Sequence, residues 1–265
     1  MKKKRKLNVK NLICLILIAV FCGLIVFSSI KIALYVSSAN ANKTIMEEID
    51  DYVQIPDVIP ATEVTGENEV ISTEVKIDFD KLKEINSDTV AWIKINNTNI
   101  NYPVVRGKDN NLYLKHNLKK QWNEAGWIFA DYQNKFDGTD RNIVIFGHAM
   151  KNKTMFGDLS NALHSSWYSN ADNLNITLIY NNIKYTYKIF SVYKVEAEDY
   201  YINSTVSAND FDEFVKTLKS RNSVNIKTDV SNAEQILTLS TCYDNNNLRL
   251  AVHAVKVSEE PMISE

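Results

Sequence analysis

Between Leu12 and Ile30 no side chain carries a charge, and Ile32 to Val36 prolongs the apolar run past Lys31. A helix rises about 1.5 Å per residue and needs roughly 20 apolar residues to cross the hydrocarbon core of a bilayer. Backbone amides in lipid must be paired within their own segment, so residues 11–36 are expected to form one membrane-spanning helix. The basic cluster Lys2–Lys6 comes before it, which by the positive-inside rule makes residues 1–10 a cytoplasmic tail and puts the rest outside. Lys31 falls near the outer end, where its stem can reach the interface. A cleaved secretory signal is the competing reading, with Ala39-Asn40-Ala41 as the small-x-small site. Signal cores run to about 7–15 residues, shorter than this stretch, so the retained anchor is favoured. Both readings export residues 42–265.

Residues 37–77 are polar, acidic and interrupted by Pro56, Pro60 and Gly66, and read as an extracellular linker with a short helix over 41–53. A domain is expected over 78–258, followed by a polar tail, 259–265. Phe79, Leu82 and Ile85 have helical spacing behind a potential N-cap, Asp78. Strands follow at Val90–Ile95 and Ile100–Val105, with Asn96-Asn97 as the turn, then at Gly126–Ala130 and Asn142–Phe146. The last of these is a continuous apolar run, the pattern of a strand buried on both faces. Leu174–Tyr180 and Ile183–Val195 flank Asn181-Asn182, a hairpin signal. In the second strand Lys184, Thr186 and Lys188 alternate with apolar residues, predicting one wet face. Phe211, Phe214, Val215 and Leu218 form the stripe of an amphipathic helix over 209–219. Gln235–Leu239 and Leu248–Val257 close the chain. Many strands and one inserted helix predict a mainly β fold closed into a barrel, which leaves no exposed edge.

Composition sharpens this picture in two ways. Seven of the 30 Lys and Arg lie in residues 1–36, which hold no acid; the other 23 face 32 Asp and Glu, a net of about −9. An acidic exported body excludes a nucleic-acid partner, whose phosphates call for a basic face. Of three cysteines, Cys14 and Cys22 sit in the apolar run and only Cys242 belongs to the body. A lone exported cysteine cannot staple a fold and is open to oxidation, so it is either paired between molecules or reactive. An inert buried thiol is the bland alternative.

Three segments hold candidate chemistry. Thr238-Leu239-Ser240-Thr241-Cys242 ends one strand, Leu248-Arg249-Leu250 begins the next, and Asn142–Phe146 leads through Gly147 to His148. Strand ends suit catalytic groups because the sheet fixes them and leaves their tips open. The thiolate is the nucleophilic form of cysteine, and a nearby imidazolium or guanidinium stabilises it. Histidine can protonate a leaving amine near ambient pH. Arginine stays charged and can donate paired hydrogen bonds to a developing oxyanion. Cys, His and Arg thus make a set for acyl transfer. The residue types alone leave open which histidine serves. His116 and His164 lie in polar segments and read as surface or packing residues, and His253 shares a strand face with Arg249. Arg249 alone would read as a solvated charge.

The run Thr238-Leu239-Ser240-Thr241-Cys242 followed by Arg249 resembles the signature of the sortases, the cell-surface transpeptidases of Gram-positive bacteria. Ile100–Gly107, with Asp109-Asn110 and Tyr113-Leu114, resembles the family's early strand and turn. Gly126–Tyr132, Phe146-Gly147-His148 and Met155–Leu159 are similar to class B in particular, as is a helix between the sixth and seventh strands. The resemblance covers residues 78–257 and implies an eight-stranded sortase barrel with an N-terminal helix. It implies a triad of His148, Cys242 and Arg249, with Ser240 and Tyr243 shaping the substrate pocket, and neither metal nor cofactor. Cys242 would attack a Thr carbonyl in the C-terminal sorting signal of a surface protein, forming a thioester that a peptidoglycan or lipid II amine resolves. The implied ionised Cys–His pair is a minority species, which makes His148 more secure as acid than as base. The stretch from Tyr243 to Leu248 is short for the family, leaving little room there for a large substrate contact. Glu196, Glu198 and Asp199 read as a solvated acidic turn, since a hard-cation cage needs about six oxygens.

Three alternatives accompany this reading. A pilus-polymerising sortase would use a lysine amine, and often has a lid or a second span that the polar residues 258–265 do not provide. A catalytically inactive, membrane-tethered binding module would need none of the three residues. An L,D-transpeptidase also uses exported Cys and His, but its His is expected just before the nucleophile, where Ser240-Thr241 stand.

Overall fold

The computed structural model describes residues 9–56, 75–243 and 248–262. The expected basic tail up to residue 8, residues 57–74 of the expected linker, the 244–247 turn and residues 263–265 lie outside them. Helix α1 runs unbroken over Val9–Ile49. After a 3-10 turn, β1 (Val53–Gln54) pairs with β2 (Lys76–Ile77). Helix α2 (Phe79–Ile85) follows, its first turn capped by the Asp78 carboxylate, which accepts from Lys81 N at 2.9 Å. The strands β3 (Thr89–Ile95), β4 (Asn101–Val105), β5 (Phe129–Ala130) and β6 (Asn142–Phe146) come next. Beyond the short helix α3 (Ser165–Tyr168) lie β7 (Asn175–Tyr180), β8 (Ile183–Glu196), α4 (Phe211–Ser220), β9 (Ile236–Tyr243) and β10 (Leu248–Pro261).

Eight strands close into one barrel in the order β10-β8-β7-β3-β4-β5-β6-β9. Neighbours are antiparallel except for β4 with β5 and β6 with β9. The β7–β8 hairpin turns through Asn181 and Asn182, both at positive φ (52° and 58°), the geometry of a two-residue type I′ turn. On β8, Lys184 and Lys188 remain partly accessible but Thr186 is buried, so the wet face is narrower than the alternation predicts. The expected strand at Gly126–Ala130 shrinks to two residues. Gly126 takes φ +56°, where a Cβ would lie 2.4 Å from the Tyr113 carbonyl, and this kink ends the ladder.

The main core, built around Trp92, Trp127, Leu178, Leu237 and Leu239, fills the barrel. A second cluster lies under α4, whose Phe211, Phe214, Val215 and Leu218 pack on Phe190, Tyr193, Ala251 and Val255. Thus β9 sends Leu237 and Leu239 inward and the alternate residues towards α4 or the open surface.

The segment expected to be a linker behaves differently. Lys31, Tyr35, Ser38, Asn42, Ile45 and Ile49 recur at spacings of four and three, one seam of the helix. Asn42, Ile45 and Ile49 are buried, so residues 37–49 continue α1 along the barrel. Burying each isoleucine stabilises this docking by about 1.5–3 kcal/mol. The expected short helix over 41–53 is therefore the end of one long helix, and the expected polar tail is strand up to Pro261.

Candidate active site

Cys242 and Arg249 are direct partners in the β9–β10 ladder. Opposed residues of an antiparallel pair share a face, with Cβ atoms about 4.5–5.5 Å apart. Both side chains are half-buried. On the other side of β9, β6 runs parallel to it with Phe146 registered against Ser240. Gly147 N extends that ladder to the Ser240 carbonyl (3.3 Å), and the Thr241 hydroxyl donates to the Gly147 carbonyl (2.6 Å). His148 and Cys242 each stand two residues past the last registered pair, on chains about 4.8 Å apart. Backbone positions 148, 242 and 249 thus sit side by side at one end of the barrel.

The imidazole of His148 has a fixed orientation. Its Nε2 lies 2.8 Å from the Leu114 carbonyl, which can only accept, so Nε2 carries a proton and Nδ1 is the nitrogen left to titrate. Burial pushes the His148 pKa below its usual value; the Leu114 bond opposes this and the Lys115 charge adds to it.

Beneath this row lies a buried polar support. Ser240, one alternation below the thiol, is buried, and its hydroxyl lies 2.9 Å from the phenol of Tyr201. Burial keeps that phenol neutral by raising its pKa, against the opposing effects of the Ser240 bond and the Arg249 charge. One step deeper, fully buried His253 is opposite Thr238 in the ladder. The Thr238 hydroxyl donates to Asn142 Oδ1 (2.7 Å) and so accepts from His253 Nδ1 (2.9 Å); Nε2 then accepts from the Tyr193 hydroxyl (3.0 Å). Every polar atom of the ring is matched in its neutral form. Burial, with the nearby Arg221 charge, lowers the pKa of His253 to about 3.

The remaining candidates separate clearly. Tyr243 points to a cleft of about 850 Å³ shared with His164, Tyr193, Lys194 and Arg221, and the Lys194 ammonium lies 4.1 Å from its ring centre. Glu198 of the acidic turn is paired with Arg221. His116 bonds the Leu112 carbonyl and meets Trp122 edge-on. A larger cleft of about 1050 Å³, lined by Tyr52, Phe79, Asn181 and Asn182, lies at the barrel end away from Cys242 and holds no Cys or His. Sequence reasoning missed Leu114 in its role here, because a backbone carbonyl leaves no side-chain signal. It also missed Tyr201, whose only hint was the pair Tyr200-Tyr201 behind an acidic turn.

The same architecture recurs in known proteins. A family described as the sortase domain matches residues 93–257. Sortase B of Listeria monocytogenes is 32% identical over 239 residues, spanning 89% of this chain and 92% of that protein. The crystal structure of Clostridium perfringens sortase B is 37% identical with a TM-score of 0.63, covering 68% of this chain and all of that one. A Staphylococcus aureus sortase B–substrate complex is 27% identical with a TM-score of 0.63, covering 87% and 98%. Together with the closed barrel and its inserted α4, these likenesses show that the chain belongs to the sortase family of transpeptidases, in its class B.

Proposed function

We propose that this chain is a membrane-anchored cysteine transpeptidase that cleaves a C-terminal sorting signal after Thr and joins the released protein to a peptidoglycan amine. The observation that carries this reading is the cross-strand pair Cys242–Arg249 with His148 at the tip of the adjoining strand. The Cys242 sulfur attacks the Thr carbonyl carbon, forming C–S as electrons move to the oxygen. Arg249 supplies hydrogen-bond donors to that oxyanion. As the intermediate collapses the C–N bond breaks, and protonated His148 gives its Nδ1 proton to the leaving amine. The acceptor amine then attacks the thioester, C–N forms, C–S breaks, and the amine's proton passes to Nδ1.

Because burial lowers the basicity of His148, its imidazolium is a minor form at neutral pH, so the reactive thiolate–imidazolium pair is a small fraction of the enzyme. Ser240, tied to Tyr201, forms the floor beneath the sulfur, and Tyr243 walls one side of the substrate cleft. No cofactor takes part. Val9–Tyr52 is long and apolar enough to cross a membrane. Its face from Lys31 to Ile49 packs on the body, which favours retention, since a cut after Ala41 would sever that seam. We assign residues 1–10 to the cytoplasm, 11–36 to the span and the body from 78 to the outside.

Iodoacetamide labelling tests the site. Cys242 is expected to react readily and to be protected by a sorting peptide, with Cys242→Ala folded but without turnover. Turnover by Cys242→Ala at the native rate would overturn the assignment.

A further inference from the structure

We infer that the catalytic end of the barrel is turned towards the bilayer, with Trp122 and the lysines of the loops next to His148 (Lys115, Lys151 and Lys153) facing the headgroup layer. This rests on the anchored reading above. The apolar run Leu12–Ile30 has a length of about 28 Å as helix, matching a hydrocarbon core of about 30 Å, so Lys31 marks its outer edge. From that edge α1 continues along the barrel for about 27 Å to Ile49.

Its contacts set the direction. At the upper end Tyr52 shares a cleft with the β7–β8 turn, Asn181 and Asn182, which is the barrel end away from Cys242. At the lower end Lys31 pairs with Glu124 (3.2 Å), the Tyr35 hydroxyl accepts from Asn152 N (3.1 Å), and the Ser38 hydroxyl accepts from Glu124 N (3.1 Å). Asn123 Nδ2 donates to the Ser38 carbonyl and to Asn42 Oδ1, both at 2.9 Å. Asn152 belongs to the loop that follows His148, and Glu124 to the loop that follows Leu114. Tyr35 is only about 6 Å beyond Lys31 along the helix axis. Both loops beside the catalytic histidine therefore stand at the level where the helix leaves lipid.

The surface they present suits that layer. Trp122 is 65% exposed and Leu114 37%, and Lys115, Lys151 and Lys153 are exposed on the same two loops; Lys119 and Lys120 point the other way, paired with Glu48 and Asp88. Trp122 does not hang free: it is bridged to His116 and lies edge-on to its ring. An exposed indole on a braced turn, with lysines on these two loops, fits the interface of an anionic membrane, where amphipathic rings settle and basic side chains meet headgroups. In this orientation the thiol opens at the membrane surface, within reach of substrates that are themselves held there by a lipid or an apolar tail.

The test uses the full chain in phosphatidylglycerol–phosphatidylcholine vesicles, with lipids brominated close to the glycerol backbone as quenchers and Trp122→Phe as the comparison. Wild-type tryptophan emission is expected to be quenched relative to unbrominated vesicles, and this quenching is expected to vanish in Trp122→Phe. Trp92 and Trp127, buried in the core, and Trp167, half-buried against it, supply the background common to both proteins. Retention after carbonate washing, with equal emission in both vesicle types, would overturn the orientation and leave the anchor intact. Release by carbonate would overturn the anchor and the orientation together.

Discussion

Replacing His253 with Phe should remove a defined part of the acid sensitivity of this fold. The ring is fully buried and neutral, fixed between Thr238 and Tyr193. Its folded pKa is about 3 against about 6.5 for an exposed imidazole, so the unfolded chain binds the proton first. Stability from this group is complete above pH 6.5 and declines as pH falls through that value towards 3. Between pH 6.5 and 4 the loss comes to about 3 kcal/mol, from 1.36 kcal/mol per pH unit once the unfolded histidine is protonated. The variant will start lower, by about 1–3 kcal/mol, because the Tyr193 hydroxyl loses its acceptor and Thr238 its donor. Urea denaturation of the full chain in detergent, followed by tryptophan fluorescence at several pH values, measures both quantities. The wild type should lose about 3 kcal/mol more than His253→Phe over that range. Equal slopes for the two proteins would mean that His253 is not held neutral beneath the site, and the account of the buried support would fail.

Two further outcomes bear on the catalytic row. Arg249→Lys should reduce kcat by about 10²–10³ in a fluorogenic peptide assay, because a point charge cannot reproduce a planar pair of donors; a loss below threefold would remove Arg249 from oxyanion binding. The acidic limb of the kcat/KM–pH profile, which reports groups of the free enzyme, should lie below the ordinary histidine value of about 6.5 because burial disfavours the His148 imidazolium. A limb above that value would show that a neighbouring charge, not burial, governs the ring.

The barrel was legible because its strands carry local signals. The apolar run of β6, the Asn181-Asn182 turn and the Phe211–Leu218 stripe are all contained within a few residues. The placement of the proposed triad was legible for a different reason: its residues sit at strand ends whose register follows from the fold, as the Cys242–Arg249 pairing does. The docking of α1 was hidden. Its seam mixes Lys31, Tyr35, Ser38 and Asn42 with two isoleucines, so no hydrophobic stripe reveals it, and its contacts lie some 80 residues away. The support under the thiol was hidden too, since Thr238, His253, Tyr193 and Asn142 meet only across three ladders. His253 shares a strand face with Arg249, yet the register sets it two alternations beneath, bonded to Thr238.

Mass spectrometry of the intact enzyme, quenched in acid after mixing with a library of sorting peptides, addresses the central assignment directly. The account predicts an acyl adduct on the Cys242-containing peptide, ending at the Thr of the cleaved signal, removed by hydroxylamine and missing in Cys242→Ala. Cleaved peptide accumulating while Cys242 stays unmodified, or an adduct on any other residue, would contradict it.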